Sequence, residues 1–177
     1  MKFLKGILLI IVLPMFSFSQ QEVKIGMTLD EVKNLLPAAK SAEYEQRITL
    51  SLSATLCGLK SEWGYRFDKN NKLDWIFFHK YLDEINSENF TNFLNATKCL
   101  ASSYTEKYGR PDSVVKGDTN FVDPYKKHHW GYHVLEYYWK NAVGQKICIE
   151  FNFMGGKGEY HFLFSVNIFD EKYPYYN

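Results

Sequence analysis

A polar and aromatic stretch in the last third of the chain contains the side chains best suited to contact a ligand. It runs from Tyr125 to His133 and carries three of the five histidines. Loops placed before a strand often carry binding residues, because a rigid scaffold positions them. We therefore predict a binding surface made by six residues of this stretch: Tyr125, His128, His129, Trp130, Tyr132 and His133.

Neutral imidazoles are also ligands for zinc and copper. His129 and His133 are four residues apart, a spacing that brings two side chains together on a helix. Gly131 and the strand pattern that follows argue against a helix, and no third ligand lies nearby in the sequence. We predict no metal site and no cofactor.

Acidic residues recur on the polar sides of several predicted strands. Paired acids hydrolyse glycosides when they are held at the right separation, but a solvated sheet face predicts the same residues. The acids concerned are Glu62, Asp68, Asp74, Glu136 and Glu150. No nucleophile motif surrounds a cysteine or a serine, and the glycine-rich segment 155–158 is typical of a turn. We therefore predict no catalytic residues and no enzymatic activity.

The chain contains three cysteines, which are Cys57, Cys99 and Cys148. In an oxidising compartment, one disulfide and one remaining thiol are expected. Three pairings are open, because a disulfide needs α-carbons within about 7 Å of each other and that distance is a property of the fold.

The N-terminal segment is typical of a cleavable signal peptide. Lys2 and Lys5 form a short positive region. The apolar run from Ile7 to Phe16 is shorter than the roughly 20 residues that span a bilayer. Ser17 and Ser19 place small residues where a signal peptidase reads the chain, which predicts cleavage before Gln20.

These features predict a signal peptide at residues 1–19 and a single domain at 20–177. The residue directly after the cleavage point is Gln20 and not a cysteine, so lipidation is not expected. We predict a periplasmic or extracellular protein without a stable membrane anchor after cleavage. The formal net charge is +1, with both signs interspersed, which does not favour nucleic acid or an anionic membrane surface as a partner.

Two helices are predicted in the mature segment. The first begins at Thr28, where Glu31 completes a capping box, and it ends before Pro37. The second runs from Ile85 to Tyr108, with apolar residues at intervals of three and four, and Gly109 ends it.

Segments of two-residue alternation follow each helix and predict three strands after the first helix and three or more after the second. These are 47–56, 62–68 and 73–78 after the first helix, and 135–139, 147–153 and 160–168 after the second. Leu73, Trp75 and Phe77 are expected to share one face of their strand. Ile76 and Phe78 make the other face less polar, which predicts a strand that is central or covered on both faces. The predicted fold class is α+β: an antiparallel sheet with two helices packed on one face, built from an α-β-β-β unit used twice.

The segment from Lys24 to Val32, followed by a strand and the hairpin from Tyr65 to Trp75, resembles a known family. It is similar to the small outer-membrane SmpA/OmlA domain and the related β-lactamase-inhibitor-like superfamily, which commonly open with "I-x-x-G-M-T-x-x-E-V". The lipid-bearing cysteine of that family is missing, and Leu36-Pro37-Ala38 replaces its usual Gly-x-Pro. The resemblance implies an envelope or secreted binding module without catalysis, sometimes one that holds another protein on its sheet.

Together these patterns predict a non-enzymatic binding or interaction module of the cell envelope, with an envelope or secreted protein as partner. The alternative is a small-ligand or carbohydrate-binding domain that uses exposed tyrosine and tryptophan side chains. A hydrolase is the third reading, and it requires a pocket that holds two or more of the acids or histidines.

Overall fold

Eight strands form one antiparallel sheet in the computed structural model, which describes residues 23–123, 131–142, 144–156 and 159–170. The predicted signal peptide, 1–19, lies outside these residues. The helices are α1 (Leu29–Leu35) and α2 (Ser87–Tyr108). The strands are β1 (Lys40–Tyr44), β2 (Arg47–Leu56), β3 (Leu59–Phe67), β4 (Leu73–Leu82), β5 (Ser113–Lys116), β6 (Gly131–Ala142), β7 (Gln145–Gly156) and β8 (Glu159–Asp170).

The strand order in the sheet is β1-β2-β3-β4-β8-β7-β6-β5. Each half is a meander, in which strands that follow one another in the chain are neighbours in the sheet. The halves join where β4 pairs with β8, for example at Ile76 opposite Ile168. The two short strands β1 and β5 are therefore the edges of the sheet.

The second helix packs on one face of the sheet, against β6, β7 and β8. Its contact is aromatic: the ring of Phe90 lies 5.2 Å from that of Phe151, and the ring of Phe93 lies 5.9 Å from that of Phe162. All four side chains are buried. Aromatic rings of this kind contribute most of the apolar area that stabilises a core.

The first helix begins as its sequence predicts, with a capping box at Thr28. The Glu31 amide donates to Thr28 Oγ1, and the Thr28 amide donates to a Glu31 carboxylate oxygen over 2.7 Å. The Leu29 amide donates to the Asn71 carbonyl, which ties the helix to the β3–β4 turn. Val32 is the residue of α1 that enters the core.

The predicted α+β class, with two helices packed on one face and an α-β-β-β unit used twice, is wrong. Strands make up 54% of the described residues and helices 21%, so the sheet dominates the fold. Four strands follow each helix, whereas the pattern predicts three after the first and three or more after the second. The additional strands β1 and β5 are exposed at every residue, so they carry no alternation of apolar and polar side chains for a sequence pattern to detect.

The expected facing of β4 is also wrong, because a bulge reverses it. Arg66 pairs with Trp75 but Phe67 pairs with Leu73, which leaves Asp74 as an extra residue. An extra residue in one strand shifts all later side chains to the other face. Leu73 therefore shares the core face with Ile76 and Phe78, and the half-buried side chains of Trp75 and Phe77 lie on the opposite face.

A disulfide joins Cys57, between β2 and β3, to Cys99 in α2, with the α-carbons 6.2 Å apart. This is the pairing present among the three that the sequence left open. Cys148 is a free and buried thiol. The bridge connects the first half of the sheet to the helix that packs on the second half.

Replacing Cys57 and Cys99 together with alanine should lower the free energy of unfolding by about 4 kcal/mol, because the bridge closes a loop with a sequence separation of 42 residues. Urea unfolding under non-reducing conditions measures the loss. A reductant should destabilise the wild type to the level of the double variant and leave the variant unchanged. Equal stability of the two proteins without reductant would contradict the bridge.

Candidate functional site

The side of the sheet opposite α2 is called the outer face from this point. Because Phe151, Phe162 and Phe164 contact α2, alternation turns their neighbours on β7 and β8 to the outer face. The outer-face side chains of the candidate site are Trp75, Phe77, His79 and Tyr81 of β4, His161, Ser165 and Asn167 of β8, Cys148, Glu150 and Asn152 of β7, and His133, Glu136 and Tyr138 of β6. Several of these polar groups are buried, although an uncovered sheet face normally carries exposed ones.

Glu150 lies at the centre of a hydrogen-bonded cluster and is only 7% exposed. Ser165 Oγ donates to its Oε2 over 2.7 Å, and Asn167 Nδ2 lies 3.4 Å from the same oxygen. Asn167 Nδ2 also donates to Ser165 Oγ over 3.1 Å. The register places Glu150 directly opposite Ser165, so the pairing of β7 with β8 assembles this part of the cluster.

Glu136, on β6, is the second buried acid and is 2% exposed. The Tyr138 hydroxyl donates to its Oε2 over 2.6 Å, and His133 Nδ1 forms a hydrogen bond with its Oε1. The side-chain nitrogen of Asn152 donates to Oε1 over 2.9 Å when the amide is oriented with its donor toward the carboxylate. Three neighbouring side chains therefore hold this carboxylate.

A second bulge brings His133 to Glu136. Residues three apart on a regular strand point to opposite faces. The register of β6 shifts between His133 and Leu135, with Val134 buried as the extra residue. His133 consequently shares the outer face with Glu136, and its side chain remains 65% exposed.

The two acids are cross-strand neighbours, since Glu136 lies opposite Glu150. Like charges directly opposite each other destabilise a sheet unless something compensates them. Among the residues that the structure describes, no lysine or arginine lies within ion-pair distance of either carboxylate. Hydroxyl and amide donors compensate instead, and the Tyr138 hydroxyl, 3.4 Å from Glu150 Oε1, links the two acids.

The chemistry of this cluster favours a fixed geometry over nucleophilic attack. Burial raises the pKa of the Tyr138 hydroxyl, and its hydrogen bond to Glu136 raises the pKa further, so the hydroxyl keeps the proton that it donates. Burial likewise raises the pKa of the Cys148 thiol, and the charge of Glu150 adds to the rise. A thiol that stays protonated is a poor nucleophile.

Beside this cluster lies a line of rings, called the aromatic row: Trp75, Phe77, His79 and Tyr81 of β4, and His161 of β8. Successive ring centres are 4.5, 5.0, 6.3 and 5.6 Å apart. Tyr81 is 52% exposed. The row therefore presents aromatic surface on the face that α2 does not cover.

Neighbouring residues hold the rings of the row in place. Trp75 Nε1 donates to Asn167 Oδ1 over 3.1 Å, and His79 Nε2 lies 3.1 Å from the same oxygen. Phe77 lies on Gly64 of β3, where a Cβ atom would be 2.2 Å from the ring. Asn167 thus belongs to both features and connects the aromatic row to the acidic cluster.

Burial lowers the pKa of His79, while the hydrogen bond to Asn167 and the charge of Glu150 act in the opposite direction with smaller effect. The imidazole is accordingly neutral at neutral pH. A neutral ring can donate one hydrogen bond to Asn167 Oδ1 and pack its faces against Phe77 and Tyr81.

Two of the six predicted binding residues fall in the described part of the chain. His133 lies on the outer face, as part of the acidic cluster. Tyr132 lies on the other face, where its ring centre is 5.3 Å from that of Phe153. The remaining four, Tyr125, His128, His129 and Trp130, lie outside the described residues.

The five predicted acids have different environments. Glu136 and Glu150 come together. Asp74 forms an ion pair with Arg66 at 2.9 Å, and Asp68 accepts hydrogen bonds from backbone amides in the β3–β4 turn. Glu62 lies opposite His79.

Sequence reasoning missed the aromatic row because alternation assigns Trp75 and Phe77 to the core. One signal was available: the strand is apolar on both sides, with Ile76 and Phe78 alternating with these rings. A strand of that kind has a second face that packs or binds something.

Within the described ranges, no group of three or more histidine, cysteine and acidic side chains is placed to hold a metal ion. Neither described helix combines the length and apolar character needed to cross a membrane. The chain matches no family model, no curated protein and no solved structure. The resemblance to the SmpA/OmlA domain stays a prediction.

The hydrogen bond between Tyr138 and Glu136 predicts non-additive stability effects. Tyr138→Phe and Glu136→Leu should each lower the free energy of unfolding by about 1–3 kcal/mol, because the first removes the donor to the buried carboxylate and the second removes the acceptor of the hydroxyl. The double variant should lose less than the sum, with a coupling of about 0.5–3 kcal/mol in urea unfolding. Tyr138→Phe combined with the distant change Tyr44→Phe is the matched control and should be additive; additivity in both pairs would contradict the contact.

The lowered pKa of His79 predicts a loss of stability in acid. Unfolded histidine titrates near pH 6.5, so below that pH the unfolded chain binds a proton that the folded chain resists until its lower pKa is reached. The urea midpoint of the wild type should fall across this interval, and His79→Gln should remove part of the fall. His161→Gln is the matched control. An identical pH dependence in the wild type and His79→Gln would refute the assignment.

Proposed function

We propose that this chain is an exported, non-enzymatic binding module that holds its ligand on the outer face of its sheet. The observation that carries the proposal is the aromatic row, whose rings are held in fixed positions on the face opposite α2. Exposed aromatic side chains are enriched where proteins bind ligands, because they bury a large area at low conformational cost.

Preorganisation of the row supports a binding role. Side chains that are already ordered lose little conformational entropy when a ligand arrives, so more of the contact energy appears as affinity. Trp75 and His79 are ordered by Asn167, and Phe77 by its position on Gly64. The acidic cluster is the support for this arrangement, since it fixes Asn167 from the other side.

A hydrolase is the second candidate, and the pair Glu136 and Glu150 is the observation that favours it. The two acids of a glycosidase flank the bond that they cleave. Here the two acids are neighbours in one sheet, and their oxygens accept hydrogen bonds from Tyr138 and Ser165 of the same chain. Carboxylates that accept hydrogen bonds from their own chain stabilise the outer face better than they attack a substrate.

Export is part of the proposal and rests on the sequence features at 1–19. The disulfide between Cys57 and Cys99 supports it, because such bonds persist in oxidising compartments. The resemblance to the SmpA/OmlA domain points the same way, toward an envelope or secreted module with an envelope or secreted protein among its candidate partners.

Co-sedimentation with isolated cell envelopes of the producing organism tests the proposal, since it detects protein and polysaccharide ligands alike. The mature chain should sediment with the envelopes, and Tyr81→Ala should weaken the apparent affinity by about tenfold, the effect of removing one aromatic contact. Tyr44→Ala is the matched control, because Tyr44 is 76% exposed on the edge strand β1 and lies outside the aromatic row.

Two results would overturn the proposal. One is sedimentation no greater than that of an unrelated protein of similar charge. The other is an equal loss in Tyr81→Ala and Tyr44→Ala, which would place binding away from the row. Circular dichroism and thermal unfolding of both variants confirm that a loss reflects the contact and not the fold.

A further inference from the structure

We infer that the ligand of the aromatic row is a neutral oligosaccharide bound along β4. This inference rests on the proposed function, because it names the ligand class for the same face. Four observations carry it: the length of the row, the spacing of its rings, the polar groups beside it and the pairing of the charged side chains around it.

The row is long, and its rings follow one another at short intervals. From Trp75 to Tyr81 the strand advances six residues, or about 20 Å at roughly 3.3 Å per residue. Its ring centres follow one another at 4.5 to 6.3 Å. An extended surface with a short repeat suits a chain of linked rings and is larger than a single sugar needs.

The chemistry of the row matches the two surfaces of a sugar ring. A pyranose has C–H faces that pack on aromatic rings and hydroxyl groups at its edge that donate and accept hydrogen bonds. The outer face supplies such partners beside the row. On β2, Ser51 and Ser53 lie one strand beyond Gly64 and Glu62 of β3, which pair with Phe77 and His79 of the row.

The charges around the row favour a neutral ligand. The guanidinium of Arg66 lies 4.7 Å from the centre of the Trp75 ring and donates twice to Asp74, over 3.0 and 2.9 Å. The carboxylates of Glu136 and Glu150 are buried and accept hydrogen bonds from neighbouring side chains. The exposed side chains at the border are Glu62, which can accept bonds from hydroxyl groups, and Lys60 two residues away on the same face, so their opposite charges balance.

The test is a titration of the mature chain with three neutral hexasaccharides, which are cellohexaose, laminarihexaose and maltohexaose. Hexagalacturonic acid is the charged comparison, and a polyproline peptide of similar length tests the other ligand that aromatic rows recognise. Calorimetry measures affinity, and a change in tryptophan fluorescence that is lost in Trp75→Phe reports contact with Trp75, one of four tryptophans in the chain. At least one neutral hexasaccharide should bind more tightly than both comparison ligands.

The same variants locate the contact. Tyr81→Ala should weaken binding of that hexasaccharide about tenfold, and Tyr44→Ala should leave it unchanged. Gly64→Ala, which forces the Phe77 ring to move, should weaken binding while Tyr81 is intact. Binding of none of the three, tighter binding of the acidic chain or the peptide, or an equal loss in Tyr44→Ala would overturn the inference.

Failure of this inference can be distinguished from failure of the proposed function. If the envelopes bind the chain through Tyr81 but no neutral hexasaccharide competes, the ligand class is wrong and the binding face stands. If the envelopes do not bind the chain at all, the proposed function fails as well.

Discussion

Phe90 and Phe93 of α2 pack against the phenylalanines of β7 and β8, and this contact decides which side of the sheet becomes the core. A sheet of eight strands has two large faces, and α2 packs on one of them. The other, the outer face, is stabilised by contacts among its own described side chains. The two bulges turn side chains to the outer face, where the buried acids and the aromatic row lie.

The outer face is stabilised by polar contacts where a second helical layer would otherwise supply apolar ones. A buried polar network stabilises a fold when each member has a partner and is costly when one member lacks it. Glu136 and Glu150 each have hydroxyl or amide donors, so the network meets this condition. The cost is that substitutions here act on stability as well as on function, whereas Tyr81, at the exposed end of the row, can be changed with less effect on the fold.

Much of the secondary structure could be predicted from the sequence, but the register and facing of the strands could not. The capping box at Thr28 and the long helix ending at Tyr108 are local signals, set by hydrogen bonds within a few residues, and they were predicted. The exposed edge strands β1 and β5 have no pattern, and β6, β7 and β8, of 12 residues each, are longer than the segments in which alternation is visible, so the share of strand was underestimated.

The candidate site was least predictable because two single-residue events create it. Asp74 is an extra residue in β4, and Val134 is an extra residue in β6. Each one reverses the face of the sheet to which the adjoining side chains point. A bulge depends on the pairing of strands distant in sequence, so alternation within one strand cannot reveal it. The contact between Glu136 and Glu150 likewise depends on register, which sequence alternation leaves undetermined.

The seam between β4 and β8 has a consequence for how the molecule forms. Every other strand pair joins chain neighbours, but the bond from Trp75 to Asn167 spans 92 residues. Contacts of such high sequence separation close at a large entropic cost and slow folding. The aromatic row and the acidic cluster meet only when the two halves dock, which makes a competent outer face a marker of completed folding.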